Sequence, residues 1–312
     1  MKRFRRLRRR RAALALLPAT VALSITMIAP GTALGADAGT SKFDAKASKV
    51  KPGAKVKVKG KFPAIAQTQA GGAAKSSRKV SIQFQPAGKN RWRKAKTTVS
   101  NKDGRYKERV KVKRTGFLRA VHADGRTTKP DRVRVKAKLR TKLKNRNAKL
   151  GQKVKVKGRV APGTKRKIVV RIGGDKVKTK TNRKGKFKVK WKADKVGSYK
   201  ARVKTPGNKV AAGDKDKAGK TTVYRPAQAS WYGPGFYGNR TACGQTLTTG
   251  TVGVAHKTMP CGTKLKLHHK GKTVKVKVID RGPYHGNREF DLTGATKQKL
   301  GFGSTGTVWA SK

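Results

Sequence analysis

The sequence predicts an all-β chain: two basic β-sandwich repeats of immunoglobulin-like architecture behind an export leader, followed by a smaller C-terminal β domain. Three observations carry that prediction. Apolar and basic residues alternate with period two, as in Val56 and Val58 set among Lys55, Lys57 and Lys59, which is the pattern of half-buried strands. The same run recurs as Val154 and Val156 among Lys153, Lys155 and Lys157, each copy followed by a glycine, Gly60 or Gly158. From Ala229 onward the composition shifts, with more glycine and aromatic residues and fewer charges.

Composition bounds the rest. The 312 residues hold 82 Lys plus Arg against 13 Asp plus Glu, a formal net charge of +69, and only 35% are hydrophobic. Such a chain cannot bury one large core, so small domains joined by polar segments follow. The cation excess excludes an ordinary cytosolic metabolic enzyme. Two cysteines and five scattered histidines do not make a zinc or iron-sulfur framework, so neither metal nor cofactor is expected.

At the N-terminus a cluster of arginines precedes the apolar stretch Ala12 to Ile28, broken by Pro18 and followed by Pro30 and Gly31. This is the layout of a secretory signal peptide over residues 1 to 36, with an A-x-A site at Ala36-Asp37-Ala38. The expected location is secreted, extracellular or wall-associated. No later segment is long and apolar enough to span a membrane.

The two repeats are placed at 40 to 137 and 138 to 205. Gly104 with Tyr106 matches Gly185 with Phe187, and Gly116 with Leu118 matches Gly197 with Tyr199, giving a repeat of roughly ninety residues. The first copy carries an insertion between its matched blocks, placed in Gln67 to Ser77. Turn signals at Asp103-Gly104, Gly173-Gly174 and Lys184-Gly185 separate short strands, as in antiparallel sandwiches. Trp92 and Trp191 are expected to fill the two cores. Residues 206 to 228 read as a linker with a final strand around Val223. Each lysine by itself reads as part of a solvated strand face that deters edge pairing. Summed, the charge should gather the chain on anionic wall polymers, phosphodiesters above all. Nucleic acid is disfavoured, because no recognition helix or aromatic RNP-like motif accompanies the charge.

The C-terminal domain, 229 to 312, carries the specific signal. Lys264 to Leu267 and Thr273 to Ile279 alternate as strands around a hairpin turn at His268 to Gly271. His268 and His269 are expected to be solvated at its tip. Thr293 to Leu300 reads as a short helix capped by Thr293 and closed by Gly301, and Val308 and Trp309 as the last strand. The domain has three carboxylates, Asp280, Glu289 and Asp291. Asp280 ends a strand just before Arg281-Gly282-Pro283, where it either serves a cleft or, as a structural carboxylate, pairs with Arg281 or Arg288 or caps a turn. Cys243 and Cys261 flank the segment bearing His256. An even cysteine number in an exported chain points to a disulfide, with a free-thiol nucleophile as the alternative. Trp231, Tyr232, Phe236, Tyr237 and Tyr284 offer flat rings for stacking on a ligand or for a core.

Four ordered motifs, Ala229-Ser-Trp-Tyr-Gly-Pro-Gly-Phe-Tyr-Gly to Gly244, Val254-Ala-His-Lys-Thr, Val278-Ile-Asp-Arg-Gly-Pro-Tyr284 and Phe290-Asp-Leu-Thr293, together resemble the RlpA-like double-psi β-barrel family. The resemblance covers residues 229 to 312 and says nothing of the two repeats. It implies a six-stranded barrel akin to expansins, barwin and MltA, with an open groove for peptidoglycan glycan strands. It also implies lytic transglycosylation, in which one carboxyl group suffices. On this resemblance Asp280 and His256 take the catalytic or sugar-binding positions, and Asp291 is the second candidate acid. Trp231, Tyr232, Tyr237, Gln245, Arg281 and Tyr284 are the expected substrate contacts. Many family members carry a glutamate in an N-G-E run where this chain has Cys243-Gly244-Gln245. That departure keeps open the alternative of a non-catalytic, expansin-like wall-binding protein.

Overall fold

The computed structural model describes residues 41 to 45, 49 to 63 and 78 to 312. The leader and the Gln67 to Ser77 insertion lie outside the described residues. The described residues belong to one compact unit, Gly39–Lys312.

The first repeat comprises β1 (Lys42–Ala45), β2 (Ala54–Lys61), β3 (Lys79–Pro86), β4 (Arg93–Val99), β5 (Arg105–Val112), β6 (Gly116–His122) and β7 (Asp131–Val133). The second comprises β8 (Lys138–Leu143), β9 (Asn147–Lys149), β10 (Lys153–Ala161), β11 (Lys167–Ile172), β12 (Asp175–Lys180), β13 (Lys186–Lys192), β14 (Gly197–Thr205) and the first part of β15 (Asp214–Tyr232). One sheet of each repeat runs β1-β2-β5 or β8-β10-β13, and the other β4-β3-β6-β7 or β12-β11-β14-β15. Corresponding strands thus occupy corresponding places, as in two copies of an immunoglobulin-like sandwich.

The residues that mark the repeat in the sequence are partners in space. Gly60 lies opposite Tyr106 across β2 and β5, and Gly158 opposite Phe187 across β10 and β13. A Cβ at Gly60 would fall 2.5 Å from the Tyr106 ring, and one at Gly158 would fall 2.6 Å from that of Phe187. The glycine is therefore what lets each ring lie flat across the neighbouring strand.

Trp191 fills the second core at 3% exposure and donates to Asp175. Trp92 does not fill the first. It is half-buried, with the Arg119 guanidinium 4.3 Å over its ring, while Ile82, Leu118, Phe62 and Tyr106 occupy that core. The buried residues of both repeats form one connected cluster that passes through Val135, Ala137 and Ala211. Scarce carboxylates join the sheets. Asp214 accepts from Leu139 N and Asp216 from Thr141 N along the free edge of β8, and Asp131 accepts from Ala45 N.

The segment expected as a linker is mostly strand. β15 pairs with β14 through Val223 and then runs without a break into the C-terminal domain. There it is joined by β16 (Val254–Ala255), β17 (Lys264–His269), β18 (Lys272–Asp280), β19 (Phe290–Thr293), the helix α1 (Gly294–Leu300) and β20 (Gly306–Ala310). The order β15-β19-β16-β18-β17-β20, with β20 pairing back to β15, closes the six-stranded double-psi barrel. It has a core of its own, built on Phe290, Leu292, Leu267 and Val278. Thr293 caps α1 through its side chain, and Gly301 ends it at φ 60°. The hairpin turn is only Lys270 and Gly271, both at positive φ. His268 and His269 are consequently half-buried strand residues and not a solvated tip. His268 stacks on Tyr224 at 5.5 Å and bonds Thr273, and His269 packs on Phe302. Among the described residues no helix is long and apolar enough to cross a membrane.

Candidate active site

Alternation along β18 puts Val276 and Val278 in the barrel core, and unbroken alternation would send Asp280 there too. A bulge prevents this. In the parallel pairing of β16 with β18, Val254 faces Val278 but Ala255 faces Asp280, so Ile279 is the extra residue. Bulges re-aim side chains in this way. Asp280 is thereby turned to the side of Ala255, away from the core.

Across the other edge of β16, Ala255 is also the register partner of Asp291. The two aspartates stand on one face with a single strand between them, their backbones about two strand spacings, ~10 Å, apart. The next strand adds Ser230 opposite Asp291 and Tyr232 opposite Thr293. The Ser230 hydroxyl donates to Asp291 Oδ1. Tyr232 is half-buried beside both acids, and its buried hydroxyl has no partner at hydrogen-bonding geometry among the described residues. Burial first, then the negative charge of Asp280 and its carboxylate as a neighbouring acceptor, and more weakly the charge of Asp291, push its pKa up, so the phenol keeps its proton.

Asp280 is held through one oxygen. Oδ1 accepts from Ala242 N at 2.9 Å and from Arg281 N at 2.8 Å, and no described residue meets Oδ2 at hydrogen-bonding geometry. Asp280 makes no ion pair with Arg281 or Arg288 among the described residues. Ala242 is placed by its neighbour, because Cys243 is disulfide-bonded to Cys261. The cysteines are therefore a bridge, and the free-thiol alternative falls. Arg281 secures the far side of that bridge, its Nη1 donating to Met259 O at 2.9 Å and to His256 O at 3.3 Å. Its guanidinium is occupied by the chain, while its backbone N–H serves Asp280.

His256 meets neither aspartate. Its Nδ1 accepts from Thr258 N and Met259 N at 3.1 and 2.9 Å, its Nε2 lies 3.6 Å from Glu289 Oε1, and its ring packs on Phe290. Burial lowers its pKa; Glu289 opposes this, and the Arg225 and Arg281 charges reinforce it. The ring is neutral with its proton on Nε2, since two N–H donors occupy the other nitrogen. Glu289 is in turn gripped by both terminal nitrogens of Arg225. Sequence reasoning missed this Arg225–Glu289–His256 cluster. One signal was present, since Glu289 immediately precedes β19 and is two residues before Asp291, but Arg225 lies before the boundary drawn at 229.

The aromatic candidates divide. Trp231 alternates with Ser230 and Tyr232, so it turns to the core side, where the Lys297 ammonium sits 3.5 Å over its ring. Phe236, Tyr237 and Tyr284 are exposed, the last at 74%, and Phe236 meets Tyr232 edge-on. Tyr237 rests its hydroxyl on Gly233 and Gly294, at positions a Cβ would claim. Gln245 lines a hollow with Thr251, Lys264, Lys275 and Ile279. His285 is exposed. Among the described residues no three His, Cys, Asp or Glu side chains gather as metal ligands.

Residues 225 to 309 match the family described as "Lytic transglycolase". Over 82 residues the chain is 44% identical to the endolytic peptidoglycan transglycosylase RlpA of Neisseria meningitidis serogroup A, covering 26% of this chain and 34% of that protein. It is 43% identical over 82 residues to the endolytic peptidoglycan transglycosylase RlpA of Pseudomonas aeruginosa strain UCBPP-PA14, covering 26% and 24%. For the probable endolytic peptidoglycan transglycosylase RlpA of Synechocystis the identity is 42% over 80 residues, covering 25% of each. The chain thus spans between a quarter and a third of the length of these relatives. Among solved structures, fibronectin(III)-like modules of Clostridium thermocellum CbhA cover 60% of this chain and 95% of that one at 15% identity, with a TM-score of 0.23. A titin A168169 fragment covers 59% and 99% at 13% identity, with a TM-score of 0.29. Likenesses that loose carry no argument about this chain.

Proposed function

We propose that this is an exported cell-wall protein whose barrel binds glycan strands of peptidoglycan and cleaves them as a lytic transglycosylase, with Asp280 as acid and base. One observation carries the reading. Asp280 is tied down through Oδ1 alone, on the same face as Asp291 and beside a buried, protonated and unpartnered Tyr232 hydroxyl.

The chemistry follows from that placement. The proton on Asp280 Oδ2 goes to the glycosidic oxygen as its bond to the MurNAc C1 breaks. The Asp280 carboxylate then takes the proton of the C6 hydroxyl, whose oxygen bonds C1 and closes the 1,6-anhydro ring. No water is consumed. Asp291, steadied by Ser230, supplies negative charge toward the oxocarbenium centre, and the Tyr232 hydroxyl donates to the sugar. Tyr284, Phe236 and Tyr237 are the exposed rings suited to sugar faces. His256 is a positioning residue, because it braces the turn leading to Cys261 against Glu289. The basic repeats hold anionic wall polymers and keep the barrel at its substrate.

Mass spectrometry of soluble products from peptidoglycan and from peptide-free glycan strands tests the reading. Anhydro-MurNAc products from the wild type, absent for Asp280→Asn, are expected. The second reading, an expansin-like binder, is favoured by Gln245, which does not ionise and stands where many members of the resembled family carry a glutamate. Intact glycan pulled down without anhydro products would establish it instead.

A further inference from the structure

The lysines of the second repeat are not scattered over its surface. Across β8, β10 and β13 the register sets Lys142, Lys157 and Lys188 in one row, and Arg140, Arg159 and Lys186 in the next. Two shorter rows pair Lys155 with Lys190 and Lys153 with Lys192. Every one of these side chains is exposed, and no carboxylate stands among them on the three strands. Within a row the strands are about 4.8 Å apart, and rows recur about every 6.8 Å along the strand. The first repeat has the same device, with Lys57 opposite Arg109 and Lys59 opposite Lys107, softened by Asp44 at 3.9 Å from Lys59.

Edge protection does not account for it. Charges that deter aggregation belong on edge strands, whereas β10 and β2 are the central strands of their sheets. Solubility does not account for it either, since like charges directly opposite one another work against strand pairing. The arrangement makes sense when a counter-charge lies over it.

We infer that the outer face of β8, β10 and β13 is a docking surface for a flexible phosphodiester polymer, of the alditol phosphate type, laid across the cation rows. This deepens, and rests on, the reading that the basic repeats hold anionic wall polymers. Lysine dominates the rows, and its ammonium binds phosphate as a point charge, without the planar fork that matches carboxylate. The face carries no aromatic residue, so it lacks the stacking platform on which single-stranded nucleic acid depends. It is a sheet surface, and presents no helix for a duplex groove.

The test compares the purified protein with a row variant, K155Q/K157Q/K188Q/K190Q, and with a charge-matched control of isolated exposed lysines, K102Q/K113Q/K129Q/K195Q. Affinity for poly(glycerol phosphate) is measured against salt, beside oligo-thymidylate of equal phosphate number. The row variant should bind at least about tenfold more weakly, with the slope of log K against log salt smaller by about 3, while the control stays within about twofold. Its low-salt melting temperature should not fall, which separates lost binding from lost folding. Equal weakening in both variants would reduce the effect to net charge and overturn the proposal. So would tighter binding of oligo-thymidylate, which would make nucleic acid the occupant. Anhydro-MurNAc release from peptide-free glycan strands should be unchanged in the row variant, so failure of the barrel reading and failure of this one are read separately.

Discussion

Asp280 and Asp291 share one register partner, Ala255, which stands between them on the short strand β16. The two reach this face by different routes. Asp280 arrives by the bulge at Ile279, and Asp291 by alternation from the buried Leu292 and Phe290.

The first consequence is an ordering of the two acids. Asp280→Asn keeps an oxygen to accept from Ala242 and Arg281 but removes the proton carrier, so anhydro-product release should fall about 10²- to 10⁴-fold at unchanged melting temperature. Asp291→Asn should lose less, about tenfold, because it contributes charge and not a proton. Product release by mass spectrometry with thermal unfolding checks both. An equal loss in the two variants would mean a carboxylate pair acting jointly.

Tyr232→Phe removes a hydroxyl that is buried without a partner. Stability should therefore hold or rise by up to about 1 kcal/mol, since an unsatisfied polar group is lost, while glycan cleavage falls. Loss of stability in thermal unfolding would show that the hydroxyl is bonded in the protein itself.

Breaking the Cys243–Cys261 bridge, 18 residues apart in sequence, should cost about 3 kcal/mol from the freed loop. The bridge also holds Ala242 against Asp280. Cys243→Ser with Cys261→Ser should thus reduce product release at temperatures where the barrel remains folded, measured by circular dichroism and assay on the same samples.

The histidines set a pH window. Burial holds His256 and His268 below their ordinary value of 6.5, so the unfolded chain binds more protons than the folded one once the pH falls below 6.5. Their contribution to stability is complete above pH 6.5 and is lost as pH falls through the depressed folded values. Groups facing His256 are Glu289, Arg225 and Arg281. Denaturant midpoints should drop between pH 7 and 5, and His256→Gln should flatten part of that slope.

Arg166 is 3% exposed; its Nη2 donates to the carbonyls of Pro206, Ala211 and Ala212 and its Nε to Thr205, while its buried Nη1 has no partner among the described residues. The loop it braces also bonds the first repeat, through Val210 O to Thr115 N and Ala212 N to Val135 O. Arg166→Leu removes the side-chain donor shared by these carbonyls, of which Ala211 O and Ala212 O keep Asn208 N and Ala137 N, and should cost about 1–3 kcal/mol. Because the two sandwich cores are continuous, both repeats should melt earlier together, which calorimetry would resolve.

Much of this molecule was legible in its sequence because strands, turns and caps are local. Period-two alternation marked β2, β10 and β18, Thr293 and Gly301 marked the ends of α1, and the glycines that recur with Tyr106 and Phe187 marked the repeat. The ordered motifs of the C-terminal domain placed Asp280 and Asp291 among the candidates. What the sequence by itself did not determine is which residues stand side by side. The Ile279 bulge, the Arg225–Glu289–His256 cluster, the burial of Tyr232, the loss of Trp231 to the core side and the registered cation rows all depend on strand adjacency. Adjacency is decided when the whole chain buries its apolar faces at once, bringing together residues as far apart as Arg225 and Glu289, 64 positions apart. Local pattern says that a side chain points in or out, and only closure of the barrel and the sandwiches says toward what.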